Sequence, residues 1–117
     1  MKTLSIRSPH AGDIMAGRKR IENRSWITHH RGRIAIHECG PGGRGILGTA
    51  KISEIVPSAE ALARWPEQAP YIIGPMCWVL TEIVELAKPI ACKGSLGLWA
   101  GPDIATCAVG EQSGEKS

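Results

Sequence analysis

The sequence predicts a small α+β domain built around a curled sheet or barrel of five or six strands, and three observations carry that prediction. Apolar side chains recur at every second position over Leu4-Ser5-Ile6-Arg7 and Ile34-Ala35-Ile36-His37, the period of a half-buried strand. Two longer segments, 46–56 and 76–86, also read as strands, the second nearly continuous in apolar residues. Only two stretches carry helix start signals, and no regular β-α-β alternation connects them. That argues against a doubly wound fold.

In order, Lys2 to Arg7 is a strand with Leu4 and Ile6 inward and Ser5 and Arg7 outward. Ser8 suits a helix N-cap and Pro9 the first helical position. The helix runs over 10–16 with Ala11, Ile14 and Met15 as its apolar stripe, and Gly17 stops it. A strand over Glu22 to Trp26 puts Glu22, Arg24 and Trp26 on one face and Ile21, Asn23 and Ser25 on the other. Thr28 to Gly32 connects it to a strand over Arg33 to His37. Cys39 to Gly45 is a glycine-rich loop without the order of a phosphate loop, hence a mobile rim. In the strand 46–56, Gly48 marks a bulge or a close backbone approach.

A second helix covers 59–65 with Ser58 as its cap, and Pro66 and Pro70 bracket a loop reaching Gly74-Pro75. The strand Met76 to Leu86 is apolar enough to be covered on both faces. Lys88-Pro89 breaks it, Ile90 to Lys93 begins a last short strand, and 94–99 is a turn or short helix. From residue 110 the composition is that of a disordered tail, which leaves one domain over 1–109.

The chain has 117 residues, enough for a real core, with 43% hydrophobic and 21% charged residues, as in a globular protein. Its net charge of +3 conceals an asymmetry. Residues 1–33 hold eight Lys and Arg against Asp13 and Glu22, whereas the remainder holds six against nine acidic residues. A basic first third favours phosphate-rich partners. Cys39, Cys77, Cys92 and Cys107 are too widely spaced for a metal site, and no cofactor is expected. No secretory leader or membrane-length apolar run is evident, so a cytoplasmic setting with reduced thiols and no membrane partner is expected. Oligomeric state is not encoded in any pattern here.

The densest chemistry lies between Gly17 and Trp26. Lys19 suits a phosphate contact or a proton-transfer role. Glu22 could accept from a base amino group while pairing with Arg24, and a partly buried Arg24 would need an anion from Glu22 or a ligand. Trp26 either stacks on a base or roofs a cleft. Asn23 faces the other way by simple alternation. His37 either donates to phosphate or is a satisfied core histidine, and Arg7 ends its strand where it could face a ligand. Trp78 is a core residue. Lys93 and Trp99 could close a far wall, though packing or solvent accounts for both.

Several stretches together resemble the ASCH domain of the PUA-like superfamily. They are Leu4-Ser5-Ile6-Arg7-Ser8-Pro9, Gly17-x-Lys19-x-x-Glu22-Asn23-Arg24-Ser25-Trp26, Arg31 to His37, Leu47 to Ala50, Gly74 to Leu80 and Cys92 to Trp99. Gly-x-Lys-x-x-Glu-x-Arg is that family's hallmark. The resemblance implies a PUA-like β-barrel with two or three short helices flanking a cleft in which the hallmark residues gather. It implies that Lys19, Glu22 and Arg24 bind RNA, a nucleotide or a modified nucleoside there, and the residues themselves add Arg7, Asn23, Trp26 and His37 as candidate contacts. It also implies an alternative, a metal-independent ribonuclease or an N4-acetylcytidine amidohydrolase using Lys19 and Glu22. Amidohydrolase relatives carry threonine at the Glu22 position, and a carboxylate cannot replace a hydroxyl nucleophile without changing the chemistry. Close relatives also carry Gln-Pro-Trp where this chain has Ser8-Pro9-His10, so one ligand-facing aromatic is absent.

Overall fold

A computed structural model describes residues 1–104; the expected domain limit at 109 and the tail from 110 lie outside the described residues. The elements are β1 (Lys2–Arg7), α1 (His10–Met15), β2 (Ile21–Arg24), β3 (Gly32–Cys39), β4 (Gly45–Pro57), α2 (Ser58–Arg64), a 3-10 helix (Pro66–Tyr71), β5 (Met76–Ile90) and β6 (Leu98–Ala100). The strands form one six-stranded sheet in the order β2-β5-β4-β3-β1-β6. Only β1 and β3 pair in parallel; the other neighbours are antiparallel. The sheet curls into a half-barrel, and α1 packs into its concave side, where Ala11, Ile14 and Met15 join a core with Leu4, Ile6, Ile34, Ile36, Leu47, Ile52, Trp78 and Leu80.

The curl has a local cause. The β4–β5 register slips three times, and each slip is a bulge that bends the strand and increases its twist. At one of them Glu82 adopts φ +50°, and its carbonyl accepts a hydrogen bond from Arg33 at 2.8 Å. Gly48 sits at another. A Cβ there would fall on the Val84 carbonyl oxygen and the Met15 sulfur, so the bulge and the close approach expected of Gly48 are the same feature.

α1 ends at Gly17, whose φ of +81° no β-carbon residue adopts cheaply, and the Arg18 and Lys19 amides turn back to the Asp13 carbonyl. The predicted caps are corrected: neither Ser8 nor Ser58 makes a capping bond, because Pro9 and Pro57 occupy the N-cap positions. The segment between Pro66 and Pro70, expected as loop, coils as a 3-10 helix. Neither terminal strand ran as expected. β5 continues through Lys88-Pro89 to Ile90, with Pro89 tolerated because it falls where the pairing slips between Glu85 and Ile90. Its second half is largely exposed, so only Cys77 to Leu80 are covered as the apolar run predicts. No separate strand begins at Ile90; the last strand among the described residues is β6, three residues pairing with β1.

β3 is central, so Ala35 and His37 are buried on the face opposite Ile34 and Ile36. The Cys39–Gly45 loop is clamped, not loose. The buried Glu38 carboxylate accepts from the Arg44 amide at 3.0 Å and from its Nε at 2.8 Å and Nη2 at 3.1 Å. Those bonds hold the Glu38 carboxyl below its ordinary range. Among the described residues no helix is long and apolar enough to cross a membrane.

Candidate functional site

Three consecutive cations follow α1, and the fold separates them. Arg18 turns outward to Asp13 at 2.8 Å, and Arg20 turns outward to Glu67 of the 3-10 helix. Lys19 turns inward and is only 3% exposed. What forces this is Gln68, a buried side chain that brackets the turn. Its Oε1 accepts from the Arg20 amide at 2.7 Å and its Nε2 donates to the Arg18 carbonyl at 3.1 Å.

Inside, Lys19 Nζ lies 3.5 Å from Glu22 Oε1 and 5.4 Å from the centre of the Tyr71 ring, whose face favours a cation. Glu22 is 7% exposed, and its second oxygen lies 2.9 Å from Arg24 Nη2. The same Nη2 donates to the Ser5 carbonyl at 2.9 Å. One carboxylate therefore holds two cations, one per oxygen. Arg24 Nε is buried and has no partner among the described residues. A buried donor without an acceptor is costly and marks a place where water or an anion completes the arrangement.

These groups line a cleft of about 240 Å³ between the end of β1, the start of α1, β2, the end of the 3-10 helix and the segment after it. Arg7 and His10 stand on one wall; Pro70, Tyr71 and Ile73 form the other. Among the described residues that line it, Arg7, Lys19 and Arg24 face Glu22 as the sole carboxylate. The cleft carries surplus positive charge in a partly desolvated setting, where screening is weak and an anion is held more strongly than on the surface.

Asn23 also borders the cleft, through the loop it ties down and not through alternation. Its Oδ1 accepts from the Ile73 and Gly74 amides, both at 3.0 Å, and its Nδ2 donates to the Tyr71 carbonyl. Asn23 therefore fixes the strap that carries Tyr71 and Ile73. Trp26 lies beyond the end of β2 and is not among the residues that line the cleft. It packs edge-on against Trp78, with ring centres 4.8 Å apart, and its carbonyl accepts the Trp78 Nε1 hydrogen at 3.3 Å. Trp78 is fully buried in the core.

His37 is not among the residues that line the cleft. Its Nε2 lies 2.9 Å from the Cys92 carbonyl, which fixes that nitrogen as the donor and leaves Nδ1 to accept from Ser5 Oγ at 3.2 Å. Trp99 Nε1 donates to the same Ser5 oxygen at 3.1 Å, with its ring edge-on to His37. Lys93 is exposed and lines no cavity with these groups. Gln68, Tyr71, Ser5 and Ile73 escaped the sequence reading. Tyr71 alone left a signal, as the single tyrosine of the chain inside a proline-bracketed segment. Among the described residues no group of three His, Cys, Asp or Glu side chains converges as metal ligands would.

The ASCH domain family model matches residues 4–93. Among solved structures, the chain is similar to the crystal structure of ASCH from Zymomonas mobilis at 17% identity and a TM-score of 0.68, covering 93% of this chain and 92% of that one. A tyrosine-to-phenylalanine variant of the Zymomonas mobilis protein gives 20% identity and a TM-score of 0.58, over 74% and 72% of the two chains. A serine-to-alanine variant gives 16% and 0.66, over 94% of each. No curated protein matches the chain.

Proposed function

The chain belongs to the ASCH domain family, with its PUA-like fold, and on that premise we propose that it binds RNA or a nucleotide, holding a phosphate-bearing nucleoside in the cleft beside Lys19 and Arg24. The observation that carries this reading is the cation surplus: Arg7, Lys19 and Arg24 against Glu22 alone, with Arg24 Nε unpartnered. With Nη2 committed to Glu22 and Ser5, Arg24 offers a phosphate its Nε and Nη1 hydrogens, and Lys19 adds a point charge. Glu22 keeps the two cations in place when the site is empty and could accept from a base amino group when it is filled. Modified nucleosides fall within the same class of ligand. The reading includes a cytoplasmic setting, where thiols such as Cys39, Cys77 and Cys92 stay reduced. The test is fluorescence anisotropy with a labelled single-stranded RNA at low salt. The wild-type protein binds and Arg24→Ala binds at least about tenfold more weakly, the worth of one charge-assisted hydrogen bond. No binding, or binding indifferent to Arg24→Ala, would end the proposal.

A second reading is favoured by the Lys19–Glu22 pair, two buried groups of opposite charge 3.5 Å apart that could pass a proton. It makes the domain a hydrolase, cutting RNA or deacylating a nucleoside such as N4-acetylcytidine. Product formed from either substrate by the wild type, and absent with Lys19→Ala, supports it; equal yields from the two proteins refute it.

A further inference from the structure

Arg24 and Ser5 belong to two cavities at once. Sharing these two residues with the cleft is a second cavity of about 450 Å³, lined by Ser5, Arg24, Cys39 and the turn 94–97. Arg24 stands in the wall between them, planted by the Glu22 carboxylate and the Ser5 carbonyl. Its Nε retains an unused hydrogen. Among the described residues the second cavity is lined by no carboxylate, and Arg24 is the charged group there.

Each cavity also carries one large aliphatic side chain that the fold leaves in solvent. In the cleft it is Ile73, 82% exposed; in the second cavity it is Leu96, 94% exposed. Neither belongs to any of the core clusters. The order across the surface is thus apolar, cationic, apolar. A single-stranded nucleic acid presents the same order at every step: a base face, a phosphodiester, a base face.

We propose that the second cavity is a nucleotide subsite, so that the protein grips a dinucleotide step with one nucleoside in the cleft, the next against Leu96, and the linking phosphodiester on Arg24. The inference rests on the nucleotide-binding reading and specifies its ligand as a segment of strand and not a free mononucleotide. Leu96 then supplies the sequence-tolerant apolar contact that aromatic side chains provide elsewhere, since no tryptophan lines either cavity.

The test is displacement of a labelled single-stranded RNA oligomer from the full chain by adenosine 5′-monophosphate and by the dinucleotide ApU. ApU displaces it at roughly one-tenth the concentration or less, the advantage of one additional base contact. Leu96→Ser, a change at a solvent-exposed position, abolishes that advantage and leaves the monophosphate curve unmoved. Equal potency of the two competitors, an advantage that survives Leu96→Ser, or failure of both to displace a bound oligomer overturns the subsite while leaving the binding function standing. An oligomer that never binds removes both.

Discussion

Lys19 Nζ and Glu22 Oε1 lie 3.5 Å apart, both nearly excluded from solvent, while the other Glu22 oxygen is taken by Arg24. Among the described residues that carboxylate is the one counter-charge lining the cleft, so its removal leaves two cations facing each other without one. Breaking a buried ion pair from one side costs about 3 kcal/mol or more. Glu22→Gln therefore lowers the unfolding free energy by about that amount in urea titration. Added phosphate restores more stability to the variant than to the wild type, because an anion substitutes for the missing carboxylate.

The Tyr71–Ile73 strap depends on Asn23. Asn23→Ala leaves the Ile73 and Gly74 amides and the Tyr71 carbonyl without their partner, at a cost of about 1–3 kcal/mol for groups denied an acceptor or donor. Amide exchange at Ile73 and Gly74 accelerates, while that in the β3–β4 ladder is unaffected. Uniform acceleration across both regions would mean that Asn23 supports the whole fold and not the strap.

Gly48→Ala places a methyl group on the Val84 carbonyl and the Met15 sulfur, and a backbone oxygen cannot step aside as a side chain can. The overpacking costs about 3 kcal/mol, read as a lower denaturation midpoint with an unchanged denaturant slope.

Acid stability is set in part by Glu38. Its carboxyl is held below the ordinary value of 4.5, chiefly by the Arg44 side-chain hydrogen bonds. A group whose pKa is depressed on folding adds stability that is complete above its unfolded pKa and is lost as the pH falls through the folded value. Glu38→Gln therefore lowers the melting temperature at neutral pH, and the gap from the wild type closes as the pH drops below about 4.5. A gap independent of pH would contradict the assignment.

How much of this was readable from the chain depends on whether a feature is local. The alternation of Leu4 and Ile6 and the stripe of Ala11, Ile14 and Met15 describe one face of one element, and all five are buried as their spacing predicts. Glu22 and Arg24 stand two apart in a strand, so their pairing is a local consequence of the pleat. The burial of Lys19 is not local. It requires Gln68 and Tyr71, about fifty residues away, and Lys19 reads no differently from its outward neighbours Arg18 and Arg20. β6 was missed for the same reason, since three residues form a strand only because the edge of β1 is there to receive them. The strand expected to reach Trp26 stops at Arg24, because the chain leaves the sheet there and the indole packs on Trp78.

The central claim is that Lys19 and Arg24 take up the phosphate of a nucleic acid ligand, and the salt dependence of RNA affinity tests it most directly. For a single strand, the slope of log Kobs against log salt changes by about 0.7 for each phosphate that the protein no longer neutralises. The account predicts a linear wild-type plot, with the magnitude of the slope reduced by about that amount in Arg24→Ala and again in Lys19→Met. Slopes identical in all three proteins would contradict it.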